Sequence, residues 1–309
     1  MHDHLPAKHL HSLHPRNLGC DSDYLRGCFV AGGRVSANPY ILNEPSNIAF
    51  SGGRSSGYML KKILDANNGL PDGSVVLFCN TGKEEEETLK FVRDCSVNWS
   101  VPIVWLEYTA DGDGFRVVNF ESASRNGEPF EALIRKKSYL PNPVTRFCTV
   151  EMKIRTAAKY CKYIGLDVGE NDSIVGFRAD EPRRVAKLAD KSRAPMARAG
   201  VTKQDVVDFW NSNSFNLKLP HINGQTVHGN CDLCFLKGSQ QILSLISERP
   251  SKAIWWARME SIIQSKAEGS AVTFRNDRPS YQSMVNFTQD QASLFGYDES
   301  IDCFCGENA

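Results

Sequence analysis

Asn47-Ile-Ala-Phe-Ser-Gly-Gly-Arg-Ser-Ser-Gly57 joins a short apolar run to a Ser/Gly-rich turn and then to a helical pattern. Asn47 to Phe50 reads as a strand. Ser51-Gly52-Gly53 allows a sharp turn, because glycine accepts positive φ without a Cβ penalty. Met59, Leu60, Ile63 and Leu64 then recur at helical spacing. A strand, a glycine-rich loop and a helix start together offer converging N–H groups and the positive end of a helix dipole, which suits a phosphate.

The pattern repeats outward from this stretch. Turn residues 67–73 lead into Val75-Val-Leu-Phe-Cys79, a continuous apolar strand of the kind covered on both faces in a parallel sheet. It ends at Asn80-Thr81-Gly82-Lys83. The acidic run Glu84 to Glu87 then opens a helix that places Leu89, Val92, Cys95 and Trp99 on one side. Ile103-Val-Trp-Leu-Glu107 is a third strand. This alternation predicts an open, doubly wound, mostly parallel α/β sheet, with the loops after the strands gathered on one rim.

Composition narrows the class. The chain has 309 residues, 41% of them hydrophobic, enough for a large core in one or two domains. Lys plus Arg and Asp plus Glu number 36 each, so no global charge draws it to nucleic acid or an anionic membrane. No run approaches the roughly 18 apolar residues of a membrane helix, and the start lacks a secretory pattern. Ten cysteines in a chain this long read as buried thiols, metal ligands or redox groups. The expected setting is the cytoplasm, with no membrane partner.

Three segments are expected: a loosely packed leader over 1–45, an α/β domain over 46–235, and a helical extension over 236–309 that closes on Cys303-Phe-Cys305. The leader holds His2, His4, His9, His11 and His14, five of the seven histidines. Helices are expected from Pro129 to Lys137, from Glu151 (presenting Lys153 and Arg155), after the Thr202 cap, and at about 240–248 and 253–265. Ser173-Ile-Val-Gly176 reads as a fourth strand. The Arg178, Arg183 and Arg184 that follow it either clamp a phosphate or pair with Asp180 and Glu181. Cys79, Cys95 and Cys161 fall at apolar positions and read as core. Trp255 and Trp256 are expected to pack on the sheet, and His221 and His228 to lie at the surface.

The loop resembles the Ser-Gly-Gly-x-x-Ser pyrophosphate-binding loop of the N-type ATP pyrophosphatases and phosphoadenosine phosphosulfate (PAPS) reductase-like enzymes, matched by Ser51, Gly52, Gly53 and Ser56. It is not a Walker A loop, which would end in Gly-Lys-Ser/Thr. Asn80-Thr81-Gly82-Lys83-Glu84, with Glu87-Thr88, is similar to the Asn-Thr-Gly-x-Glu…Glu-Thr segment of that family. Arg146-Phe147-Cys148-Thr149…Lys153-Ile154 is similar to its Cys-Thr-x-x-x-Lys-Ile segment. The joint match covers roughly residues 47 to 235. It implies a Rossmann-like domain that holds an adenine nucleotide, ATP or PAPS with Mg2+, at Ser51, Gly52, Gly53, Ser55, Ser56, Asn80, Thr81, Gly82, Glu84 and Arg178. Arg54 and Lys153 are the candidates to balance charge in the transition state.

Cys231-x-x-Cys234 is a chelating turn. Cys148 and one of Cys303 and Cys305 would complete four thiolates, a set that suits zinc or an iron–sulfur cluster. The resemblance implies [4Fe–4S], with zinc as the alternative. The leading expectation is an ATP pyrophosphatase that adenylates a substrate for sulfur chemistry. Its partners would be the nucleotide and a nucleic-acid or small-molecule sulfur acceptor, with a homodimer as an admissible assembly. A sulfonucleotide reductase using Cys305 as nucleophile is the second expectation, although Cys305-Gly306 lacks the Glu that precedes the reductases' Cys-Gly. A nucleotide-binding module without turnover is the third.

Overall fold

A computed structural model describes residues 38–222, 225–265 and 272–294. The first strand, β1 (Asn47–Ala49), leads through the glycine loop into α1 (Arg54–Asn67); β2 (Val75–Asn80) leads into α2 (Glu86–Asn98). The third strand, β3 (Ile103–Tyr108), turns back into β4 (Phe115–Val118). Among the described residues these form one sheet in the order β1-β2-β3-β4, parallel over the first three and antiparallel at β4. The fold is therefore α/β with an open, mostly parallel sheet.

The apolar run in β2 has the physical cause its sequence suggests. Val76 and Phe78 are buried with Met59, Ile63, Phe91, Val92 and Trp210 on one face. Leu77 packs with Leu106, Ala157 and Cys161 on the other. Alternate residues thus feed two cores, as a two-fold side-chain period requires. Cys95 and Cys161 are fully buried, as expected of core thiols.

The expected fourth strand contracts to one parallel bridge, Ile48 to Ile174, on the free edge of β1. Ile174 donates to Asn47 O at 2.8 Å and Ala49 donates to Ile174 O at 2.9 Å. Val175 N, on the side away from β1, donates to Arg193 O at 2.8 Å, so the far side of this segment pairs with the 193 turn and not with a further strand. So β2 and β3 extend from one side of β1 while the 174 segment lies on the other.

After β4 come α3 (Glu128–Lys137), the short α4 (Phe147–Thr149), a π-helical turn over Val150–Arg155, and α5 (Thr156–Tyr163). Two short turns, α6 (Pro182–Val185) and α7 (Pro195–Arg198), precede α8 (Lys203–Ser212). Thr202 caps α8 in a capping box with Asp205. The helices α9 (Ser239–Glu248), α10 (Ser251–Gln264) and α11 (Tyr281–Leu294) follow. They share a core with Phe130, Leu133 and Ile134 of α3. Trp255 and Trp256 are buried in that helical core with Phe274 and Tyr281 rather than against the sheet, so neither ring is free to stack on a base. No helix among the described residues is long and apolar enough to cross a membrane.

The described residues before the expected boundary at residue 46 already belong to the fold. Tyr40 is buried in the core beside α1, and Asn67 holds this approach by donating to Tyr40 O and accepting from Leu42 N. The histidine-rich stretch lies outside the described residues, as do Cys303 and Cys305.

One buried acid ties the helical part together. Glu260 is 6% exposed and accepts from Phe274 N at 3.2 Å and Tyr281 N at 2.8 Å. Burial pushes its carboxyl up to about 7 from 4.5, against the pull of these donors and Arg278. The folded state thus binds this proton more tightly than the unfolded chain. Stability should be highest below about pH 4.5 as far as this group is concerned and should fall through about pH 7. Glu260→Gln should remove that slope, on the order of 2–3 kcal/mol across the window. Urea titrations at pH 5 and pH 8 read it; an unchanged slope in the variant would contradict the assignment.

Candidate functional site

The loops that follow β1 and β2 leave the same end of neighbouring parallel strands, which lie about 4.8 Å apart. The first is shaped by a glycine that cannot be replaced. Gly52 has φ +73, and a Cβ there would meet the Thr88 methyl at 2.7 Å. Gly53 is different. It caps α1 in extended backbone without a side-chain bond, and a Cβ there would meet only Ser51 Oγ, at 3.6 Å. The space above Gly53 is open, and the first turn of α1 presents N–H groups that have no intrahelical partners.

Ser56 braces the loop from below. Its hydroxyl donates to Gly53 O at 2.9 Å and accepts from Ser51 N at 3.2 Å and Ser51 Oγ at 3.0 Å. It is buried, whereas Ser51 is exposed. Ser55 Oγ accepts from Arg178 at 3.1 Å, and the same guanidinium donates to Asp180 at 2.8 Å. Arg178 is thus ion-paired with Asp180 and Glu181, the second reading of the arginine cluster, and it also reaches the loop through Ser55. Arg184 pairs with Glu181 at 2.6 Å and does not join it. Arg54 is turned away, donating to Asn216 Oδ1 (2.9 Å), Thr226 Oγ1 (3.0 Å) and the carbonyls of Leu217 and Leu219. Its guanidinium anchors the 216–226 segment.

Gly176, the end of the expected fourth strand, brings the 174 segment close to the loop. A Cβ on it would sit 3.2 Å from Ser56 Cα and 3.3 Å from Ser55 O. Glycine at 176 lets the 174 segment pack tightly against the backbone of the first turn of α1.

At the end of β2 the residues mainly shape one another. Asn80, fully buried, donates to Glu107 at 2.6 Å and to Ser124 O at 2.9 Å, and accepts from Gly82 N. Glu84 accepts from Thr81 N, Thr81 Oγ1 and Lys83 N. Gly82, at φ +76, faces the backbone of Gly127 so closely that a Cβ would fall 2.9 Å from Gly127 N. Asn80, Gly82 and Glu84 therefore hold the turn rather than project from it.

The Cys231–Cys234 turn docks on this second loop. Asp232 N donates to Lys83 O at 2.7 Å, and Lys83 Nζ pairs with Asp232 Oδ2 at 2.9 Å, both side chains only 7% exposed. Trp256 Nε1 donates to the other carboxylate oxygen at 2.8 Å, and Lys237 Nζ donates to the carbonyls of Cys231 and Asp232. Lys83 was legible only as a residue in a matched segment; its partner Asp232 sits inside the chelating turn itself.

Lys153 lies on the π turn, a feature that often marks functional positions. Burial opposes its charge, but the nearby Glu84 carboxylate outweighs that and holds its ammonium above the ordinary lysine range. It makes no direct ion pair among the described residues. Burial likewise pushes up the thiols of Cys148 and Cys231, each raised further by the nearby Cys234. Thr81 Oγ1 lies 3.5 Å from Cys231 Sγ. Cys79, half-buried rather than core, donates to Lys153 O at 3.5 Å, its thiol pushed up to about 12 by burial.

So the structure brings Cys148, Cys231, Cys234 and Lys153 into one locale. Among the described residues, however, no group of three or more His, Cys, Asp or Glu is arranged to hold a metal ion.

No protein-family model matches the chain, and no solved structure matches it. A similar curated protein is the uncharacterized nin region protein ORF290 of Escherichia phage lambda. It is 29% identical over 205 residues, which span 63% of this chain and 67% of that protein.

Proposed function

We propose that the chain is an adenine-nucleotide enzyme of the PAPS reductase-like, N-type ATP pyrophosphatase kind, with a Rossmann-like, doubly wound nucleotide domain, that splits ATP between its α and β phosphates. One observation carries this reading: an open glycine, Gly53, at the start of α1, at the end of β1, where the sheet runs on to β2 on one side and to the 174 segment on the other. Ligands of open α/β sheets bind outside the carboxyl ends of the strands at such a switch point, and helix N-termini favour anions.

In this reading the amides of Gly53 and the first turn of α1, with the Ser51 hydroxyl, hold the departing pyrophosphate. Arg178 steadies Ser55 and lends positive charge. A nucleophile on the acceptor attacks the α phosphorus, the α–β P–O bond breaks, and pyrophosphate leaves with the electron pair, so the acceptor becomes adenylated. Lys153, charged and without a direct carboxylate partner, stands at the neighbouring strand end, where negative charge would develop. Mg2+ would screen the phosphates.

The thiols beside Lys153 support sulfur transfer to that adenylated acceptor. A [4Fe–4S] or zinc centre belongs to the proposal only on the chemistry of its donors, since Cys148, Cys231 and Cys234 would need a fourth thiolate from Cys303 or Cys305. No step is routed through it. Iron and zinc analysis of anaerobically purified protein tests it, and the absence of both metals would remove it.

The nucleotide reading is tested by incubating the purified chain with ATP and Mg2+. Pyrophosphate release is expected; tight binding without any product would favour a non-catalytic module instead.

A further inference from the structure

A second opening lies along the same end of the sheet, two strands from β1 and therefore about 10 Å away by strand spacing. It is a cavity of about 370 Å³ between the end of β3, the 109–114 turn, the end of α3, the π turn and α5. Its walls include Lys136, Lys137 and Lys159, with Glu151 as the single carboxylate. Asp111 and Asp113, on the same turn, are not among the lining residues.

The charges are unevenly matched. Glu151 already serves two cations, Lys137 at 2.7 Å and Arg155 at 2.9 Å. Lys136 Nζ donates only to the Ala110 carbonyl. Lys159 makes no ion pair or hydrogen bond among the described residues, and its ammonium rests over Gly114. A Cβ on Gly114 would lie 2.1 Å from Lys159 Nζ, and the residue has φ +77. The positive φ favours glycine there, and its missing Cβ lets the Lys159 ammonium rest against the turn.

We infer that this cavity binds a phosphate-bearing small organic molecule, held by Lys136, Lys137 and Lys159, at a site separate from the Ser51 loop. The volume falls in the range of small-molecule sites and exceeds what inorganic phosphate needs. Two lysines with unspent donors supply charge-assisted hydrogen bonds to phosphate oxygens. The assignment holds whether or not the Ser51 loop takes a nucleotide.

Calorimetric titration of the full chain with ribose 5-phosphate tests it. Lys159→Glu and Lys136→Glu should each weaken binding about tenfold or more, with an unchanged melting temperature because both side chains are exposed. Gly53→Val and saturating ATP should leave it unaffected. No binding, binding indifferent to both charge reversals, or loss in Gly53→Val would overturn the site. Equal affinity for inorganic phosphate would overturn its organic selectivity.

Discussion

Gly53→Val should abolish nucleotide binding while the protein stays folded. The extended backbone at this position suits valine, and only Ser51 Oγ lies within contact distance of the new Cβ. The isopropyl group would occupy the space above the first turn of α1, where phosphate oxygens must come to meet the amides. Loss of even one such preorganised donor costs about 10²–10³ in rate at comparable anion sites, so a loss of about 10²-fold or more in ATP affinity is expected. The folding cost is that of a poor N-cap, about 1 kcal/mol. Gly52→Val would be a poor test, because positive φ and the Thr88 contact would disrupt the loop for reasons unrelated to ligand. Equilibrium binding of ATP and the melting temperature, measured on the same preparation, separate the two effects. Wild-type affinity in Gly53→Val would place the nucleotide elsewhere.

Lys83→Met should be the most destabilising of the substitutions considered. It leaves Asp232 buried at 7% exposure without its cation, and breaking one side of such a pair costs about 3–5 kcal/mol. The loss would loosen the Cys231–Cys234 turn from the end of β2, since the pair reinforces the backbone bond from Asp232 N to Lys83 O. Asp232→Asn added to Lys83→Met should recover part of the stability, because an amide oxygen can still accept from Trp256 Nε1 and no carboxylate is left buried without Lys83. Urea unfolding of both variants reads this. A cost below about 1 kcal/mol for Lys83→Met, typical of exposed pairs, would contradict the burial argument.

The strand–loop–helix units were legible because their signals are local. Apolar runs bounded by Gly and Asn located β1, β2 and β3 within a residue or two, and Thr202 announced its helix. The fourth strand was not: the apolar run at 173–176 has strand character, but its pairing with β1 is limited to one bridge at Ile174, a long-range outcome that no local pattern encodes. The site shows the same division. Ser51, Gly52, Gly53 and the Arg178 contact follow from the loop and the segment after residue 174. By contrast, Arg54, Asn80 and Glu84 carry side chains of the right chemistry that turn inward to hold neighbouring backbone. Sequence spacing gives proximity along the chain but not the direction in which a side chain points. The Lys83–Asp232 pair joins positions far apart in sequence, and only the docked turn reveals it.

The central claim is cleavage at the α–β bond. Phosphorus NMR of ATP incubated with the protein, Mg2+ and a nucleophilic acceptor such as hydroxylamine identifies the products directly. Pyrophosphate together with AMP or an adenylated acceptor is expected, in amounts that vanish with Gly53→Val. ADP and inorganic phosphate as the primary products would contradict it.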